Sequence, residues 1–108
     1  MHPPIFSLRY LQKNYDLEGM NDFKVAFFDQ VVKLSQLSWK QLNQAYRHGL
    51  GYEKIKKEAI HAPIPDFIKP DVNLIAFRFC GKAPMVGFRD KSTFYILWFD
   101  ARFDLYDH

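Results

Sequence analysis

Arg78 and Arg89 fall on two strand-forming stretches, 72–79 and 85–89, where alternation assigns each side chain a pleat face. Along the first stretch Val72, Leu74, Ala76 and Arg78 share one face, and Ile75, Phe77 and Phe79 share the other. Along the second, Met85, Gly87 and Arg89 share a face while Val86 and Phe88 turn to the core. This reading puts both guanidinium groups on one sheet surface, with Lys82 and Lys91 at the hairpin ends. Such a surface suits phosphate oxygens, which guanidinium forks bind in bidentate fashion. Bases can stack on aromatic side chains such as Tyr95 or Tyr106. The competing reading pairs both arginines with Asp90, Asp100 or Asp104 and leaves them a solubilising role.

Charge distribution adds a second basic element. The chain carries a net charge of +3, and residues 1–39 and 62–108 are each balanced. The surplus therefore lies in residues 40–61, where Lys40, Arg47, Lys54, Lys56 and Lys57 face only Glu53 and Glu58, with His48 and His61 beside them. A local patch of this kind grips phosphates or forms an ordinary solvated face. The four histidines, His2, His48, His61 and His108, show no metal-ligand spacing, so neither a metal nor a cofactor is expected. The single cysteine, Cys80, excludes an internal disulfide and reads as a small buried hydrophobe. Glycine-rich phosphate loops, nucleophile elbows and zinc-protease motifs are all missing.

The elements that must position these groups follow from periodicity. Residues 5–10 have the partial alternation of a strand, ended by the polar stretch 12–20. From Asn21, a candidate N-cap, Phe23, Phe27, Val31 and Leu34 recur at three- and four-residue spacing, with Ala26 and Phe28 widening the stripe, so a helix is predicted over 21–36. Ser38 and Gln41 fit a capping box that opens a second helix over 38–48, with Trp39, Leu42, Ala45 and Tyr46 inward and Gly49 and Gly51 at its C-cap. The stretch 52–57 fits either a short edge strand or a polar helical turn. Pro63, Pro65 and Pro70 make 62–71 a connector. Strands at 72–79, 85–89 and 93–99, joined by two tight connections, form an antiparallel meander. The last strand is apolar on both faces, as a strand covered on both sides must be.

With 108 residues there is room for one core, hence a single domain spanning 1–108. Its 48% apolar and 25% charged composition is globular, and its 18% aromatic content is unusually dense. The order of elements gives an α+β sandwich, a helical hairpin on one face of a twisted, mainly antiparallel sheet. No stretch reaches the roughly 18 to 20 apolar residues of a membrane span and no signal-peptide pattern opens the chain, so the expected location is the cytoplasm.

The run from Arg78 through Gly87-Phe88-Arg89, the strand 94–99 and the closing Asp104-Leu105-Tyr106-Asp107-His108 resembles the last strands of the RelE-like toxins, the small ribonucleases of type II toxin–antitoxin pairs. The order of one strand, two helices and a meander also fits them. The resemblance implies a metal-independent endoribonuclease acting on mRNA, on the ribosome or free of it, and neutralised by a cognate antitoxin. By position it marks Arg78, Arg89, Tyr106 and His108 as site residues. In such a mechanism the RNA 2′-hydroxyl attacks its own phosphate, Arg78 and Arg89 clamp that phosphate, and His108 or His48 moves the proton. Arg47, Lys54, Lys56, Lys57, Lys82 and Lys91 would grip the rest of the RNA. The alternatives for the histidines are an unheld residue at position 108 and ordinary helix-end charge at Arg47-His48.

A different class uses the same residues: a non-enzymatic phage or mobile-element protein that binds and inhibits a protein partner, since aromatics and Arg dominate interface hot spots. A DNA-binding role ranks behind both, because the second helix offers few base-reading side chains.

Overall fold

Strand β1 (Ile5–Ser7) leads into helices α1 (Asn21–Leu34) and α2 (Trp39–Gln44), then edge strand β2 (Tyr52–Ile55), a 3₁₀ turn (Lys57–Ala59), and strands β3 (Leu74–Cys80), β4 (Ala83–Asp90) and β5 (Thr93–Phe99). This is the architecture of a computed structural model that describes residues 2–45 and 49–108. The five strands form one mixed sheet in the order β1-β5-β4-β3-β2, with β1 parallel to β5 and the other pairings antiparallel. The expected meander and the single α+β domain are therefore present. The stretch left open between edge strand and helical turn contains both, in succession. Among the described residues no helix is long and apolar enough to cross a membrane.

Each face of the sheet carries its own core. On one face Leu34, Trp39 and Leu42 from the helices bury Ile75, Phe77, Met85, Phe94, Ile96 and Phe99. Phe23 meets Phe79 at 6.0 Å and Phe27 meets Phe99 at 4.9 Å, so the predicted stripe of α1 faces inward. On the other face Leu74, Ala76, Val86, Leu97 and Trp98 are covered by Ile60 and by the chain after β5, through Leu105 and Tyr106. Two bulges adjust the alternation. Phe79 is the extra residue between the pairs Arg78–Pro84 and Cys80–Ala83, and Leu97 is the extra residue between Val86–Trp98 and Gly87–Ile96. The second bulge lets Leu97 and Trp98 enter the same core.

Several local expectations need correction. Met20, not Asn21, occupies the N-cap of α1 and no side chain caps it. Phe28 is 67% exposed rather than inward, because α1 is apolar on more than one side. Helix α2 stops at Gln44, where Ala45 turns extended, so Gly49 and Gly51 do not cap it. Tyr46 lies outside the described residues. Its start is as expected: the Ser38 hydroxyl accepts from the Gln41 backbone N–H at 3.2 Å, and Gln41 Oε1 accepts from the Ser38 N–H at 2.9 Å. Six residues make few helical hydrogen bonds, so this box carries much of what orients Trp39 and Leu42. Ser38→Ala is expected to cost about 1 kcal/mol and lower the melting temperature by roughly 4–8 °C, read by thermal unfolding.

Candidate phosphate and proton-transfer site

Asp100 immediately follows β5 and is wholly buried. Its backbone N–H donates to the Pro84 carbonyl at 2.9 Å, which ties it to the start of β4. Its Oδ1 accepts from the backbone N–H groups of Asp104 at 2.9 Å and Leu105 at 3.2 Å, fixing the chain as it folds back over the second core. Leu105 is fully buried there, and its carbonyl accepts from the His61 N–H at 2.7 Å. The returning chain brings His108 Nε2 to 2.8 Å from Asp100 Oδ2. Rings of Tyr106 at 4.2 Å and Phe103 at 5.2 Å flank the imidazole. His108 is therefore held, not loose. With Nε2 donating to the carboxylate, Nδ1 is the ring nitrogen left to exchange a proton.

The same fold-back delivers His108 and Tyr106 to a depression shared with Arg78, Lys82, Pro84 and Glu53. Arg78 arrives through its pairing with Pro84, and Glu53 through its pairing with Ala76, which put both on the pleat face of the second core. Lys82 lies in the tight β3–β4 turn beside Gly81, whose φ of 56° suits glycine. The pairing of Arg78 with Asp90, Asp100 or Asp104 does not occur: among the described residues its guanidinium has no ion-pair partner, and Asp100 is committed elsewhere. At about 40 Å³ the depression cannot enclose a nucleotide.

Burial, with Glu53 and Asp100 adding and Arg78 opposing, pushes the Tyr106 phenol up to about 12. It is a neutral hydrogen-bond donor across the physiological range and no base. The folded state then holds this proton more tightly than the unfolded chain, whose phenol titrates near 10. That stabilisation is complete below pH about 10 and is lost as pH rises through about 12. Urea midpoints measured across this window should fall steeply in wild type and less steeply in Tyr106→Phe.

Other expected site residues lie apart. Arg89 does not share the surface of Arg78, because its pairing with Phe94 sets it on the helix-covered face. Five positions separate it from Pro84 along β4, about 17 Å. It stacks over Trp39, and Lys91 accepts its Nε hydrogen through the backbone carbonyl. Lys54 pairs with Ile75 and also lies on the face opposite Arg78. Lys56 is exposed beyond β2. Lys57 spends its ammonium on the carbonyls of Lys69 at 2.6 Å and Pro70 at 2.9 Å, bracing the connector. Tyr95 is half-buried between Phe88 and Tyr10, and Tyr106 is only 8% exposed, so neither offers an open stacking face. Arg47 and His48 lie outside the described residues.

Sequence reasoning missed Asp100 as the partner of His108. The available signal was an aspartate directly after an apolar strand, a place where burial demands a partner. A larger cleft of about 580 Å³ lies nearby, lined by Lys13, Tyr15, Asp16, His61, Arg102 and Asp104 among others. Its mixed charges assemble no comparable set, and among the described residues no group of three His, Cys, Asp or Glu is placed to hold a metal. Comparisons with protein-family models, curated proteins and solved structures return no match.

Proposed function

We propose that the chain is a RelE-like toxin, a metal-independent endoribonuclease that cleaves mRNA, on the ribosome or free of it, and is neutralised in the cytoplasm by a cognate antitoxin. The observation that carries this reading is the Asp100-held His108 opening onto the depression of Arg78 and Tyr106. The element order, one strand, two helices and a closing meander, is also the one expected of a RelE-like sandwich.

In this mechanism a scissile phosphate docks at the rim between Arg78 and Lys82. His108 Nδ1 takes the proton of the 2′-hydroxyl, whose oxygen attacks the adjacent phosphorus. The bond from phosphorus to the 5′-oxygen breaks, and the Tyr106 phenol, still protonated, donates to the departing oxygen. A 2′,3′-cyclic phosphate and a 5′-hydroxyl end result, and proton exchange with water restores both side chains. Arg78 opposes the negative charge that grows on the phosphoryl oxygens, where a fixed cation acts most strongly.

The test is induced expression with growth and primer extension on cellular mRNA, followed by purified protein on RNA with and without ribosomes and with and without chelator. Growth arrest with chelator-insensitive cleavage to 5′-hydroxyl ends is the expected result. If the protein neither arrests growth nor cuts RNA under any of these conditions, the enzyme reading fails. The inhibitor of a protein partner then takes its place, favoured by the outward stripe of Val25, Phe28 and Val32 on α1.

A further inference from the structure

Trp39 and Arg89 build a second cationic pocket, on the helix-covered side of the sheet at the β4–β5 turn. The indole is buried, its Nε1 donates to the Ser92 carbonyl at 3.0 Å, and its ring packs on Tyr52 and Phe77 at 5.9 and 6.0 Å. The Arg89 guanidinium carbon lies 4.2 Å from the ring centroid, and its Nε donates to the Lys91 carbonyl at 2.6 Å. Lys91 holds φ at 56°, so the turn itself aims that carbonyl. The contact with the indole ring and the hydrogen bond from Nε hold the guanidinium at two points, which leaves its Nη groups for a ligand. His2, Ser38, Lys40 and Ser92 complete a pocket of about 250 Å³ whose lining contains no carboxylate. Asp90, the nearest acid in sequence, pairs with Thr93 and belongs to the opposite pleat face from Arg89.

We propose that this pocket binds a phosphate group, received by the Nη edge of Arg89 and the ammonium of Lys40, with the Ser38 and Ser92 hydroxyls and His2 as further donors. A guanidinium restrained at two points with its Nη groups left over distinguishes a phosphate or carboxylate receptor from a merely basic surface, and the second cation beside it favours the more highly charged phosphate. The site does not depend on the cleavage mechanism, since it lies on the other face of the sheet from His108 and Arg78. The phosphate belongs either to the backbone of a bound RNA or to a free or terminal phosphate, and the two sources separate experimentally.

Trp39 is the reporter, because the only other tryptophan, Trp98, is wholly buried in the opposite core and serves as an internal control. The two indole N–H resonances are followed by NMR during titration with inorganic phosphate, a 5′-phosphorylated trinucleotide and its 5′-hydroxyl counterpart, at ionic strength held constant with sodium chloride. A saturable shift of Trp39 with Trp98 unmoved is expected. Lys40→Gln, which keeps the stack intact, should weaken binding about tenfold or more, and Arg89→Ala should abolish saturation. Response to inorganic phosphate and the 5′-phosphorylated probe alone assigns a free or terminal phosphate, whereas an equal response to the 5′-hydroxyl probe assigns the RNA backbone. Absence of a saturable Trp39 shift with all three probes, or an unchanged shift in Arg89→Ala, overturns the proposal.

Discussion

In the proposed endoribonuclease, Asp100→Asn is expected to abolish RNA cleavage nearly as completely as His108→Ala while leaving the fold in place. The amide oxygen can still accept from the Asp104 and Leu105 N–H groups, so the fold-back survives. The other end of the side chain becomes an NH₂ where Oδ2 accepted from His108 Nε2 at 2.8 Å. The imidazole must then present a lone pair at Nε2 and carry its proton on Nδ1, on the side that should receive one. Where the same exchange reverses the tautomer of a serine-protease histidine, kcat falls by about 10⁴. Asp100 is a positioning residue in this account, so its loss should also change the pH profile of kcat. Arg78→Ala should lower kcat by about two to three orders of magnitude, the usual effect of deleting one transition-state charge contact, or about 2.7–4 kcal/mol. Lys82→Ala should mainly raise KM and flatten the salt dependence. Arg89→Ala should not slow the chemical step, because Arg89 stands on the other face, and any effect it has should fall on RNA binding. Single-turnover and steady-state cleavage of an RNA oligonucleotide over a range of RNA concentrations, with circular dichroism as the folding control, reads all five. A wild-type rate in Asp100→Asn would remove His108 as the base.

Much of this fold is legible in the sequence because local signals and tertiary packing agree. The α1 stripe, the Ser38–Gln41 box and the two tight turns of the meander are each written within a few residues. The apolar character of both faces of β5 correctly requires cover on both sides. What fails is the relative face of two neighbouring strands. A regular two-residue turn at Gly81-Lys82 would set Arg78 opposite Met85 and gather Arg78 with Arg89. The bulge at Phe79 sets Arg78 opposite Pro84 instead, and with a side-chain period of two, one extra residue reverses the face. Both faces of β4 are buried, so no polar side marks the slip. Phe28 misleads for a related reason: α1 is apolar on its inner side and at Val25 and Val32, and periodicity alone cannot choose the side. The contact between Asp100 and His108 spans eight residues of irregular chain, and its cause is the burial of Leu105 and Tyr106, a tertiary event with no period to read.

Gly87→Ala should be among the most damaging single-methyl changes in this protein. A Cβ there would lie 1.9 Å from the Tyr95 carbonyl oxygen, 2.8 Å from its carbon and 3.0 Å from Ile96 Cα. These are backbone atoms of the paired strand, so no rotamer change relieves the clash. The close approach accompanies the Leu97 bulge, across which Gly87 pairs with Ile96 while Val86 pairs with Trp98. Relief requires parting β4 from β5, which would disturb Ile96, Leu97 and Trp98, all fully buried. Overpacking that side chains can absorb costs about 1–3 kcal/mol, and a clash that only backbone can absorb should cost about 3 kcal/mol or more. For a domain of this size that is a fall in melting temperature of at least about 12 °C. Gly81→Ala is the natural comparison: its φ of 56° opposes a side chain, yet nothing lies within 4 Å of the new Cβ, so the cost should be about 1–2 kcal/mol. Thermal unfolding of both variants decides the matter, and a Gly87→Ala melting temperature within a few degrees of wild type would mean that β5 is not held over Gly87 as described. The consequence reaches the candidate site, because Asp100 follows β5 directly and its N–H is held by Pro84 at the start of β4. Parting the two strands displaces the carboxylate that orients His108, so under the proposed mechanism whatever fraction of Gly87→Ala remains folded in the cold should also cleave RNA more slowly than wild type.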